Sequence, residues 1–339
     1  PPPENIFISI MIYGRKRELK QAKSLLNFLW GPTLVSIENI TPTQILKEKD
    51  ISSYQTNIIL NDRNPYSVWK EITARVKNSV NQELLNSSGV IFAFDAIKPS
   101  YKRELLLGLL TQIDLLIDKI KASDDPTIEP SDLWDDFQIE LRKQAIRSFI
   151  GNYVSLLFKG QNTIVVDHLV NTIDLSEVDT EMTPAIMIID PIINKKPLLV
   201  DGKILPSDDP RALIHIETLV SNWMIRTAEI ISSELINKSY EWPELRNFLL
   251  KKELLSTREL ERLRNQLNSQ NRWQEFVLMP IRLYESKRLL YRLNKGHIQS
   301  TFLTETRDEE LQHLGWWQQQ VALIVEARDA IAPQLQSLV

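Results

Sequence analysis

The sequence predicts a mainly α protein with small β additions, an α+β chain whose helices pack in a bundle-like way around at least one β-hairpin near 198–205. Three observations carry that expectation. Glycine occurs only nine times in 339 residues, too few for the tight turns of a many-stranded β fold or for glycine-rich phosphate loops. Long segments repeat their apolar residues every three to four positions, the helical period. "PLLVDGKILP" (197–206) sets two apolar arms around Asp201-Gly202, a pair that two-residue hairpin turns favour, and prolines close both ends.

Taken in order, "NIFISIMIY" (5–13) is apolar but too short to span a bilayer. "GRKRELKQAKSLLNFLW" (14–30) places Leu19, Ala22, Leu25, Leu26 and Leu29 at helical spacing. "NPYSVWKEITARVKNSVNQELL" (64–85) is a second helix, with Pro65 near its start. "GVIFAFD" (89–95), β-branched and aromatic, reads as a strand. "SYKRELLLGLLTQIDLLIDKI" (100–120) is a helix with a wide apolar face, and Asp114 and Asp118 interrupt it as a membrane span. The acidic, proline-containing stretch at 121–131 is expected to be a linker or exposed loop. It would separate an N-terminal helical region, 1–122, from a C-terminal helical domain, 132–339. Helical periodicity resumes at 133–157, then at 209–237, 243–255, 257–269, 273–294 and 306–330.

Composition bounds the chemistry. Apolar residues at 43% and charged residues at 25% describe a globular chain with a real core. The absence of cysteine excludes disulfides, thiol catalysis, iron–sulfur clusters and thiolate zinc sites, and it fits a reducing compartment. The chain opens on "PPPEN" with its first methionine at Met11, so residues before Pro1 are expected. The net charge of −4 is unevenly spread: 114–140 carries nine acids and two bases, and 251–295 carries eleven bases and five acids. The second stretch is where an anionic partner would be met.

No catalytic motif of the G-x-S-x-G, P-loop, G-x-G-x-x-G or H-E-x-x-H kind occurs. The chain is therefore expected to be no enzyme and to use no cofactor or metal. Glu309 and His313 stand four apart, the spacing of a helical ion pair as much as of two metal ligands. His215 lies in an apolar helix as a core histidine, and Asp208-Asp209-Pro210 starts a helix with an acid cap and Pro at the first turn. Asp95 has the place of a catalytic acid at a strand end, yet a single strand gives little support for that role.

The candidate interaction surface is basic and aromatic. "LSTRELERLRNQL" (255–267) opens with a capping box, Ser256 to Glu259, buries Leu260, Leu263 and Leu267, and presents Arg258, Arg262 and Arg264. With "PELRNFLLKKELL" (243–255) it forms a helix pair of the kind that can enter a DNA groove. It lacks the glycine often found in such turns, and nucleic acid is not the expected partner. Arg282, Lys287, Arg288, Arg292 and Lys295 alternate with Tyr284 and Tyr291 on the expected 273–294 helix, an arrangement that suits anionic headgroups or phosphates. Trp316 and Trp317 would supply a protein contact.

Several stretches resemble one family, the reading frame called ycf fifty-five of cyanobacteria and red-algal plastids, a domain of unknown function. They are "GRKREL" (14–19), "ELRKQAIRSFIGNYV" (140–154), "KPLLVDGKILPSDDPRALIHIETLVSNWMIRTAEIISSEL" (196–235), "LLSTRELERLRNQL" (254–267) and "VEARDAIAP" (325–333), in the same order and across nearly the whole chain. The resemblance implies an oxygenic phototroph, in cyanobacterial cytoplasm or plastid stroma and peripheral to the thylakoid, and brings no catalytic residues. Family members often carry a receiver-like domain before this region and a Gly-rich apolar segment after it. The expectation is then a non-enzymatic interaction protein acting in assembly or regulation of a photosynthetic complex. Its partner would be a protein, with a peripheral anionic-membrane contact. A nucleic-acid-binding regulator working through 243–269 is the alternative.

Overall fold

A computed structural model describes residues 65–122, 130–176, 179, 181–200, 203–207, 209–279, 282 and 287–304. All of these belong to the second of the two units into which the chain divides, Ile59–Val339. The expected helices at 14–30 and 306–330 lie outside the described residues.

The architecture is mainly α with small β additions. Its order is α1 (Pro65–Val80), β1 (Leu85–Asn86), a 3-10 turn (Ala93–Ala96), α2 (Pro99–Ala122), α3 (Pro130–Ile150), β2 (Ser155–Phe158), β3 (Gln161–Ile164), α4 (Val165–Thr172) and α5 (Ala185–Ile193). There follow β4 (Leu198–Val200), β5 (Lys203–Leu205), α6 (Pro210–Glu241), α7 (Pro243–Leu249), a 3-10 turn (Lys252–Leu254), α8 (Thr257–Trp273), a π turn (Gln274–Leu278), β6 (Lys287–Asn294) and β7 (His297–Thr304). Residues on both sides of the expected 121–131 boundary lie in this one unit, and α2 packs against α3. Gly108 is where those two helices approach: a Cβ there would intrude on Ser148 Oγ, which donates to Ala145 O at 2.9 Å.

Helix α6 is the axle. Its 32 residues extend about 48 Å at 1.5 Å per residue. Asp209 caps it as expected, its carboxylate accepting from Arg211 N at 2.8 Å, with Pro210 in the first turn. It stops at Trp242 because Pro243 excludes helical backbone from the residue before it. Apolar side chains surround it on every side, and α1, α2, α3, α5, α7, α8 and β6 all pack on it. The buried tryptophans Trp69, Trp134, Trp223 and Trp242 mark the core, with Trp134 edge-on to Trp223 at 5.4 Å.

Among the described residues, three two-residue hairpins decorate the helices. The one foreseen at 197–206 is β4–β5, with Val200 opposite Lys203; Asp201 and Gly202 themselves are outside the described residues. The other two were not expected. β2–β3 turns through Lys159 (φ 48°) and Gly160 (φ 86°), and β6–β7 through Lys295 (φ 48°) and Gly296 (φ 80°). Positive φ at both central positions is the twist-matching hairpin geometry.

Two expected elements are corrected. Residues 273–294 do not form one helix: α8 ends at Trp273 in a π turn, and 287–294 is strand β6. Its leucines are buried on both faces, so they follow no strict alternation. Residues 89–95 are not a strand but an extended lead into a 3-10 turn, with Phe92, Ala93 and Phe94 buried. The N–H groups of Ala93 and Phe94 find Glu229 instead of a neighbouring strand. The expected helices 133–157 and 243–255 end early, at Ile150 and Leu249.

Candidate functional site

The densest polar chemistry sits inside, where α6 meets β6. β6 is an edge strand of the sheet ordered β1-β7-β6, and its outward backbone groups are met by side chains of α6. Asn222 Oδ1 accepts from Tyr291 N at 2.9 Å, and Arg226 Nη2 donates to Leu289 O at 2.9 Å. Arg226 is buried and makes three further bonds: Nε on Asn222 Oδ1 (3.2 Å), Nη1 on Asp179 Oδ2 (2.6 Å) and Nη2 on Glu181 Oε2 (3.0 Å). Glu181 is shared, its Oε1 lying 2.6 Å from Arg282 Nη2. Asn222 Nδ2 donates to Thr183 Oγ1 at 2.9 Å, and the Tyr291 ring lies under the Arg226 guanidinium at 5.0 Å.

The charges balance as two arginines against Asp179 and Glu181. Burial works against the Arg226 charge, yet Asp179, Tyr291 and Glu181 outweigh it and hold the guanidinium above its ordinary value. Burial also pushes the Tyr291 hydroxyl up to about 12. One turn along, Glu229 turns its carboxyl inward although part of the residue remains accessible. It accepts from Ala93 N at 2.8 Å and Phe94 N at 3.4 Å. Burial raises it to about 8 against the pull of those two donors, with Asp95 and Asp179 adding to the rise. Asp95 is engaged with Lys102 Nζ at 2.5 Å and Asn86 Nδ2 at 2.7 Å. It therefore fixes the 3-10 turn to α2 and β1 rather than standing as a free acid. The Arg226 guanidinium is buried and held on four internal acceptors, so the network is a brace. Among the described residues no group of three or more His, Asp or Glu side chains could hold a metal ion.

The sequence reading missed this network, which lies on an apolar helix. One signal was present: Asn222, Arg226 and Glu229 stand at i, i+4 and i+7, a narrow polar stripe in a run otherwise apolar on its other sides, the mark of a helix whose polar groups have internal partners.

The expected surface residues fall in several places. Arg258 and Arg262 are exposed on α8, with Arg262 Nη1 3.8 Å from Glu259 Oε2, and Ser256 Oγ accepts from Glu259 N at 3.2 Å as the capping half of the expected box. Arg264 stacks on Tyr240 at 5.5 Å. Arg282 is buried in the brace rather than exposed, and Tyr291 is core. Lys287 and Lys295 are exposed, while Arg288 and Arg292 are half-buried, on a strand where successive side chains alternate faces. The single basic helical face expected from 282–295 is therefore not formed. Tyr284, Trp316 and Trp317 lie outside the described residues. At the end of α8, Trp273 and Phe276 are exposed, 43% and 44% accessible, which was not foreseen.

Fold and brace together define a helical protein organised around one enclosed, internally neutralised helix. The family described as "Protein of unknown function (DUF3685)" matches residues 179–339, a stretch that opens on the Asp179 paired with Arg226. An "Uncharacterized protein ycf55" of Porphyra purpurea is 24% identical over 276 residues, covering 79% of this chain and 82% of that protein. A "Ycf55-like protein" of Synechocystis is 22% identical over 342 residues, covering 96% of this chain and 59% of that protein. The Ycf55 protein of Pyropia yezoensis is 22% identical over 272 residues. No solved structure matches. The chain is thus similar to the Ycf55 proteins of red algae and of a cyanobacterium.

Proposed function

We propose that this protein is a non-enzymatic interaction protein of oxygenic phototrophs, acting in assembly or regulation of a photosynthetic complex near the thylakoid surface through a protein partner. The relatives supply the setting, since they come from red-algal plastids and a cyanobacterium. The observation that carries the interaction is on α8. Arg258, Arg262 and Trp273 fall within about 60° of one another at 100° per residue, so two exposed arginines and an exposed tryptophan share one helix face, with Phe276 just beyond. Arginine and tryptophan dominate binding energy at protein interfaces, and a solvated face has no need of a large indole. No helix among the described residues is long and apolar enough to cross a membrane, so the reading relies on a partner for attachment.

The test is affinity capture from a phototroph extract with the chain in its complete natural context as bait. Trp273→Ala/Phe276→Ala serves as the paired variant. Subunits of one photosynthetic complex should be retained by the wild type and lost, at least tenfold, with the variant. Equal retention by both, or no such subunit above a mock bait, would reject the reading.

A further inference from the structure

We infer that strand β7 is the joining edge of a homodimer, two copies of this chain pairing antiparallel about Phe302. The two edges of the three-stranded sheet are treated differently. At β6, Leu289 O and Tyr291 N end on Arg226 and Asn222, so α6 covers that edge. At β7 the partner is β1, which pairs only at Leu85↔His297 and Asn86↔Ile298. The bonds Leu85 N to Gly296 O and Ser87 N to Ile298 O, both 2.9 Å, show which side of β7 faces β1: the even-numbered residues direct their backbone groups there. β1 then leaves. Ser88 turns away through Asn86 Oδ1, and its carbonyl accepts from the Ser300 hydroxyl at 3.3 Å. From Ser300 onward, Phe302 N–H and C=O point outward from β6, and no described strand runs beside them.

Natural edge strands of this kind are guarded by charges, proline or a bulge. "HIQSTFLT" has no acid, lysine, arginine or proline, and its eight residues pair with β6 in unbroken register. Phe302 is 60% exposed on this strand. A foreign extended peptide would need side-chain pockets or complementary charge for its specificity, and an uncharged edge supplies no such charge. A second copy needs neither. A two-fold axis through Phe302 makes that residue its own hydrogen-bonded partner, each N–H meeting the other C=O. It lays the two rings side by side and opposes no like charges.

The chain has no cysteine, so a single introduced thiol reports the pairing. In the full chain, Phe302→Cys should give a covalent dimer under oxidised glutathione. Ile204→Cys, on the distant β4–β5 hairpin and 74% exposed, should stay monomeric. Sedimentation velocity of the wild type should show a concentration-dependent dimer. Phe302→Pro should weaken it at least tenfold, because the lost N–H points away from β6 and the β6–β7 ladder keeps its bonds. Phe302→Lys should do the same by like charge, with unchanged circular dichroism. A wild type that stays monomeric at 100 μM (about the upper end of ordinary weak association), a dimer that survives both substitutions, or equal cross-linking at positions 204 and 302 would each overturn the proposal. Capture of a different extended chain at this edge, displacing the self-pair, would also overturn it.

Discussion

The backbone N–H of Tyr291 donates to Asn222 Oδ1 at 2.9 Å, so an edge strand finishes its ladder on a helix side chain. That one amide oxygen also receives Arg226 Nε, and its nitrogen donates to Thr183. Asn222→Leu keeps the branched shape, leaves Tyr291 N and Arg226 Nε without their acceptor, and takes one bond from Thr183 Oγ1, which keeps Leu219 O. At about 1–3 kcal/mol for each orphaned group, less for those that relax, the cost is on the order of 3–5 kcal/mol. Thr183→Val removes one bond of the set and should cost about 1 kcal/mol. Urea denaturation of both variants checks the ranking; equal losses would show that Asn222 is not the hub.

Glu229 gives a pH signature. Its carboxyl is raised from 4.5 to about 8 by burial. Between those values the unfolded chain is ionised there while the folded chain keeps its proton. The folded state therefore binds more protons, and stability falls as pH rises from about 4.5 to about 8, then levels. Glu229→Gln removes this dependence. The variant should be nearly isostable with the wild type at pH 4.5 and progressively more stable toward pH 8, compared by chemical denaturation. A difference that stays constant with pH would show that Glu229 folds ionised.

The two lysine–glycine turns separate two costs of a side chain. Gly160 (φ 86°) has open space where a Cβ would go, so Gly160→Ala should lose only the left-handed penalty, about 1–2 kcal/mol. At Gly296 (φ 80°) the same Cβ would collide with the carbonyl of Glu83, which is backbone and cannot swing aside. Gly296→Ala should lose clearly more and also loosen β1. Thermal melts of the pair measure the gap; identical shifts would mean that β1 is not held where Gly296 O meets Leu85 N.

At the α2–α3 crossing, Gly108→Ala gains helix propensity of about 1 kcal/mol but must displace Ser148 Oγ. Alone it should destabilise; in a Ser148→Ala background it should be neutral or stabilising. A double-mutant cycle by thermal denaturation reads this coupling directly, and an additive result would show that the helices already stand apart.

Several helices were legible because their apolar residues recur at helical spacing after clear start signals: Pro65 at α1, Asp209-Pro210 at α6, Ser256 before α8. The β4–β5 hairpin was legible from Asp-Gly between prolines. β6–β7 was not, for two physical reasons. Its turn is Lys-Gly, and lysine gives no hint that it will adopt φ 48°. Its strand is covered on both faces, so "KRLLYRLN" fits a helical period as readily as a strand one. The arginines of 282–292 were counted as one surface on that mistaken helix, and Arg282 proved to be a counter-ion for Glu181. Trp273 and Phe276 were passed over because an aromatic at helical spacing is ordinarily core.

The reach of α6 has a bearing on how the chain is made. Synthesis runs from the N-terminus, so the helix leaves the ribosome before some of the partners that satisfy it. Glu217 finds Arg75 already made, 142 positions back, but Arg226 waits 63 positions for Leu289 O and Asn222 waits 69 for Tyr291 N. During that interval a nascent chain holds an arginine and an amide beside apolar surface with β6 still to come. Such an intermediate invites a chaperone and pauses poorly. A stall between residues 242 and 287 should leave it protease-sensitive, and completion of the last hairpin should close it.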